Sequence, residues 1–81
     1  MGTISSNEYL VKDIGEATAL LTMGIKVIRL EPEANFYWFV FGEKKECEKL
    51  SGEYWSGDLM VSAKTYSTNF RMLKDRLFAQ K

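Results

Sequence analysis

The chain contains no histidine, one cysteine and one proline among its 81 residues. Without histidine it lacks the commonest general base and the commonest zinc ligand. Cys47 has no second cysteine for an intramolecular disulfide and no imidazole to activate its thiol, so we interpret it as a small core residue. The carboxylates of residues 43–53 alternate with lysines, which is typical of a solvated helix face. We therefore expect no enzyme, no metal site and no cofactor.

The chain also has no net charge. Eleven basic residues balance eleven acidic ones, so the chain as a whole exerts no long-range attraction on a polyanion or an anionic membrane. No apolar run approaches the ~20 residues that span a bilayer, and the first residues do not resemble a secretory signal. We expect a cytoplasmic protein that does not associate with membranes.

The length indicates one core, because chains divide into separate cores only at about 250–300 residues. Hydrophobic residues make up 46% of the chain, which is enough for a folded domain rather than a disordered segment. We expect a flexible N-terminus over residues 1–6 and a single globular domain over residues 7–81.

Hydrophobic periodicity predicts the element order β-α-β-β-α-α, with a short extended segment before the last helix. Asp13 and Glu16 have the spacing of a capping box, Gly24 suits the end of the first helix, and Ser62 can cap the last one. The fold class is therefore α+β, a small three-stranded sheet with helices packed on it. If the first two strands lie parallel, the third can be inserted between them. We expect strands over residues 9–11, 25–30 and 36–41, and helices over residues 14–23, 43–54 and from 63 onward.

The two longer strands are apolar on both faces. A sheet with helices on one side normally has a polar outer face, so these strands must be covered twice or recruit a partner. Side-chain alternation places Phe36, Trp38 and Val40 on one face of the third strand and Tyr37, Phe39 and Phe41 on the other, and it separates Ile25 and Val27 from Ile28 and Leu30 on the second strand.

Three hypotheses account for these apolar faces. Helices could cover both sides of the sheet. One face could instead be the interface of a homodimer, where clustered aromatic side chains favour a two-fold contact. The exposed rings could also stack with the bases of a single-stranded nucleic acid.

Two large aromatic residues, Tyr54 and Trp55, lie where the second helix is expected to run into a Gly-containing loop. Such a pair either closes the end of a core or forms a binding hot spot. We interpret the domain as a non-enzymatic binding module that acts through protein contacts, including self-association. Its candidate interaction residues are Trp38, Tyr54 and Trp55.

The last helix is the only locally basic element. Arg71 and Lys74 are three residues apart and therefore share a helix face, which makes them the candidate phosphate contacts if the protein binds single-stranded nucleic acid. Cations near a helix C-terminus are also explained by the helix dipole and by solubility. The helix carries Lys64, Arg71, Lys74, Arg76 and Lys81 against a single acid, Asp75.

With these residues the chain resembles a family of short bacterial and phage proteins grouped as a domain of unknown function. The resemblance implies a bacterial or prophage setting and brings no catalytic residue or ligand with it. It runs through Tyr9-Leu10-Val11-Lys12-Asp13, Ala17, Leu20, Gly24, Phe39-Val40-Phe41, Tyr54-Trp55, Gly57, Phe70, Leu73 and Lys74.

Overall fold

The computed structural model describes residues 6–80. The expected flexible N-terminus therefore falls, except for Ser6, outside the described residues, and so does Lys81. The predicted α+β fold and its element order β-α-β-β-α-α are confirmed. The elements are β1 (Tyr9–Val11), α1 (Ile14–Thr22), β2 (Val27–Glu33), β3 (Phe36–Phe41), α2 (Lys44–Ser56) and α3 (Ala63–Ala79).

Side-chain caps start two of the helices. The Asp13 carboxylate accepts a hydrogen bond from the Glu16 N–H at 2.8 Å at the start of α1. Ser62 accepts one from the Thr65 N–H at 3.3 Å at the start of α3. Each cap satisfies a backbone donor that the first turn of a helix leaves unpaired.

The second helix differs from the prediction at its C-terminal end. It continues to Ser56 and is ended by Gly57, whose φ is +86°. A left-handed glycine after the last helical residue is a common helix terminator. Trp55 therefore lies in the last turn of α2 and not in the loop where we expected it.

The strand order in the sheet is β1-β3-β2, and each neighbouring pair is antiparallel. Strands β1 and β2 are consequently parallel to each other, with β3 inserted between them. This is the arrangement that we expected if the first two strands were parallel. The central position of β3 explains its apolar character, because both of its backbone edges are paired and most of its side chains are covered.

A β-bulge changes which residues of β2 face the helices. The register shifts between Val27 and Arg29, so Val27 lies opposite Phe41 and Leu30 lies opposite Phe39. Directly opposite residues share a face, which places Val27 and Leu30 on the same side. The prediction that they lie on opposite faces is wrong, because the bulge inserts one extra residue into the alternation.

All three helices contribute to one core on one side of the sheet. This core joins Phe39 and Phe41 with Leu20 from α1, Leu50 from α2 and Leu73 from α3. The hypothesis that helices cover both faces is therefore wrong. We call the opposite side of the sheet the outer face, formed by Leu10, Lys12, Arg29, Glu31, Glu33, Phe36, Trp38 and Val40.

Candidate functional site

An ion-pair network covers one half of the outer face. Arg29 donates from Nη1 and Nη2 to the two carboxylate oxygens of Glu8, at 2.9 Å and 3.1 Å, and from Nε to Glu31 at 3.1 Å. These hydrogen bonds raise the pKa of Arg29, which stays fully charged. Arg29 lies on β2 and Glu8 directly precedes β1, so the pair crosses over the central strand β3 near Val40. The network explains how Val40 is fully buried on this face.

The other half of the outer face is aromatic. The rings of Phe36 and Trp38 meet edge to face, with centroids 5.2 Å apart. Lys12 places its Nζ 4.3 Å from the centre of the Phe36 ring, a cation–π contact. The Trp38 indole Nε1 donates to Glu33 at 3.3 Å. This half therefore offers aromatic surface framed by charges, and Trp38 is half-buried within it.

A groove of about 630 Å³ runs along the free edge of β1. We call it the edge groove. It is bordered by residues from both faces of the strand and by α2, so it follows the strand edge itself. It also brings together Trp38 and Trp55, two of the three candidate interaction residues, and Trp55 is 64% exposed. Its lining is Tyr9, Leu10, Val11, Lys12, Asp13, Glu16, Trp38, Glu48, Ser51, Gly52 and Trp55.

Tyr54 lies apart from this groove, between the helices. Its hydroxyl interacts with the hydroxyl of Tyr66, which donates to the Gly15 carbonyl at 3.3 Å. Burial is the main cause of the raised pKa of Tyr54, with further contributions from Tyr66 and Asp13. Tyr54 thus closes the junction of the three helices, whereas its neighbour Trp55 meets it edge to face and points to the surface.

Two basic residues of α3, together with Asp75, line a separate shallow depression. Arg71 and Lys74 are both exposed and border it together, as their spacing predicted. The Lys74 Nζ lies 5.8 Å from the centre of the Phe70 ring. Phe78, which is 61% exposed, borders the same depression. Sequence reasoning missed Phe78. Its position beside the apolar stripe of the last helix was a signal of exposure, and that stripe consists of Tyr66, Phe70, Leu73 and Leu77.

Cys47 has the surroundings of a core residue. Its thiol is fully buried and donates to the Gly42 carbonyl at 3.2 Å. Burial, followed by the charges of Glu43 and Glu46, raises the pKa of Cys47 to about 11. At neutral pH the thiol is therefore protonated, which is the unreactive form.

Residues 6–80 contain neither a metal-ligand cluster nor a membrane-spanning helix. In this part of the chain no three Asp, Glu or Cys side chains lie together in a way that could hold a metal ion. Its helices are also too short or too polar for any of them to cross a membrane.

Comparisons with known proteins identify the family. No curated protein sequence matches the chain at a significant level. No solved structure matches it either. The profile of one family, described as the domain of unknown function DUF5659, matches residues 6–79. The resemblance to an uncharacterised domain family is thereby confirmed, and the chain belongs to the DUF5659 family.

Proposed function

We propose that the domain is a non-enzymatic binding module that acts through protein contacts, including self-association. The observation that carries this proposal is the edge groove, where Trp38 and Trp55 lie beside the edge of β1 that no other strand within residues 6–80 pairs with. Tryptophan is enriched among the residues that dominate binding energy, and an open strand edge offers backbone hydrogen bonds to another chain. Composition and family resemblance favour a bacterial or prophage protein of the cytoplasm.

The charges around the edge groove also favour a protein partner. Lys12 borders the groove together with carboxylates that include Glu48. A surface that carries both positive and negative charges can fix the register of a protein interface. A surface that binds a polyanion must instead be mainly positive. A second copy of this chain presents the same mixture and can satisfy both signs.

Sedimentation equilibrium tests this proposal over a range of protein concentrations. Trp55→Ala removes the most exposed ring of the groove without opening the core, and we expect it to weaken association by about tenfold or more. Phe78→Ala is the matched control, because Phe78 is equally exposed but lies outside the groove. Equal association of the two variants and the parent would contradict the role of the edge groove.

A second candidate function is binding of single-stranded nucleic acid through α3. It is favoured by the shared depression of Arg71, Lys74 and Phe78, which combines two cations with an exposed ring. Backbone phosphates contact cations and bases stack on aromatic rings in such sites.

Fluorescence anisotropy with a labelled single-stranded oligonucleotide separates the two functions. The nucleic-acid candidate predicts affinity that falls steeply with salt and falls again for Arg71→Glu. Lys49→Glu, an exposed charge reversal on α2, is the control. Binding that is indifferent to salt and to Arg71→Glu would remove this candidate.

A further inference from the structure

The two edges of the sheet are protected unequally. Because β3 is central, β1 and β2 each leave one edge unpaired within the sheet. On β2 that edge is interrupted by the bulge between Val27 and Arg29 and by Pro32, which has no N–H to donate. Bulges and prolines are two of the devices by which proteins prevent pairing between edges, together with short edge strands and edge lysines. Strand β1 has neither a bulge nor a proline; it is three residues long and is followed by Lys12, and its edge opens into the edge groove.

The sequence along β1 is complementary to itself in the antiparallel direction. Residues 8–12 read Glu-Tyr-Leu-Val-Lys. A two-fold axis at Leu10 places Glu8 opposite Lys12 of the second copy, and Tyr9 opposite Val11. Opposite charges and aromatic–β-branched pairs are both stabilising when directly across an antiparallel ladder. Glu8 keeps its two hydrogen bonds from Arg29, and Lys12 of the second copy approaches the same carboxylate as an additional positive charge.

The walls of the edge groove leave space for an incoming strand. Gly52 lies inside α2, where glycine weakens a helix, and a Cβ added there would meet nothing within 4 Å. The neighbouring Ser51 Oγ is buried and has no hydrogen-bond partner among the described residues. No contact within residues 6–80 explains the glycine, whereas an approaching backbone would use the space beside it. The Ser51 oxygen is shielded from the surface, so it is not a contact for the incoming strand.

We propose that two copies of the chain pair antiparallel through β1, centred on Leu10, so that the three strands of each form one continuous sheet. This inference rests on the proposed self-association and specifies its surface. Pairing over five residues alone falls short of the roughly 1,000 Å² expected of a stable interface. Trp38 and Trp55 border the space that the second strand enters and supply further area.

A cysteine at the two-fold axis tests the pairing directly. Directly opposite residues in an antiparallel pair have Cα atoms about 4.5–5.5 Å apart, within the range that a disulfide bridges. We expect Leu10→Cys to form a disulfide-linked dimer under mild oxidation, at least about tenfold faster than Ile28→Cys. Ile28 is the matched control because it is an exposed residue of the opposite edge strand. Native Cys47 is buried and does not compete.

A charge reversal provides the second variant. Lys12→Glu places two carboxylates opposite each other at both ends of the paired strands, and we expect the dimer dissociation constant to rise roughly fivefold or more. Lys26→Glu reverses an exposed charge outside the edge groove and should leave it unchanged.

The outcomes distinguish the pairing mode from self-association itself. A dimer that crosslinks through Leu10→Cys and is weakened by Lys12→Glu supports the pairing. A dimer in which Leu10→Cys crosslinks no faster than Ile28→Cys overturns the pairing and leaves the proposed self-association in place. A parent chain that stays monomeric at all concentrations overturns both.

Discussion

Arg29 donates two parallel hydrogen bonds to Glu8, at 2.9 Å and 3.1 Å, and so joins the two edge strands of the sheet across its centre. Strand β1 is only three residues long, and a strand of this length pairs weakly on its own. A bidentate arginine–carboxylate pair adds geometric specificity as well as stability. The pair therefore fixes β1 against the rest of the sheet.

Arg29→Lys should lower Tm by several degrees. Lysine has a single ammonium group and cannot make a bidentate contact with Glu8 while also donating to Glu31. Thermal unfolding followed by circular dichroism measures the change. Arg76→Lys is the control, because Arg76 is exposed on α3. Equal Tm values for the two variants would show that the bidentate geometry contributes nothing.

Gly15→Ala and Gly52→Ala should change stability in opposite directions. A Cβ at Gly15 would lie 2.5 Å from the Tyr54 hydroxyl, so the Tyr54 side chain must shift away from α1. We expect this to outweigh the helix propensity of alanine and to cost about 0.5–2 kcal/mol net. A Cβ at Gly52 meets nothing, and alanine favours the helix by about 0.5–1 kcal/mol. Urea unfolding measures both free energies. Destabilisation by Gly52→Ala would contradict the open space described beside α2.

Replacing Glu43 by glycine should stabilise the domain. Glu43 has a φ of +54° at the start of α2, a left-handed conformation that costs a non-glycine residue about 1–2 kcal/mol. Part of that gain is offset by the greater freedom of glycine in the unfolded chain, leaving about 0.5–1 kcal/mol. In the same urea measurement Glu48→Gly, inside α2, should destabilise by a similar amount. If both variants are destabilised, Glu43 is not strained.

The buried thiol should make stability depend on alkaline pH. The pKa of Cys47 is raised from 9.0 to about 11 in the folded chain. Between these values the folded form keeps a proton that the unfolded form loses, so the free energy of unfolding falls as pH rises. We expect a decrease of about 1–3 kcal/mol across this window.

Cys47→Ala isolates that contribution. The difference in unfolding free energy between the parent and the variant should shrink from pH 9 to pH 11, while other titrating groups such as Tyr54 affect both proteins equally. A constant difference would mean that Cys47 titrates at its ordinary pKa in the folded chain.

The local parts of this fold follow from local sequence signals. The apolar run of β3 and the capping residues Asp13 and Ser62 determine structure only a few residues away from themselves. The bounds of β3 and the starts of α1 and α3 were therefore predicted closely. The bulge in β2 was not predicted, although the apolar–polar alternation changes phase between Val27 and Ile28. The apolar residues on either side of that break were interpreted as two apolar faces, and the pairing with β3 shows that they share one face across an extra residue.

The candidate site depends on contacts between distant parts of the chain. Trp38 was identified as a candidate from the strand pattern, but its meeting with Trp55 in one groove depends on the path of α2 along β1. The partners of Arg29 could not be predicted either, since Glu8 lies 21 residues away in sequence. Side-chain alternation alone therefore predicted an apolar outer face, and the charged residues that cover half of it were not foreseen.

Sedimentation equilibrium of the parent chain, from micromolar to near-millimolar concentration, tests the central claim most directly. A small domain whose β1 edge opens into a groove with two tryptophans should show a reversible monomer–dimer equilibrium, which Trp55→Ala shifts toward monomer. A single species of monomer mass at every concentration would contradict self-association through the edge groove.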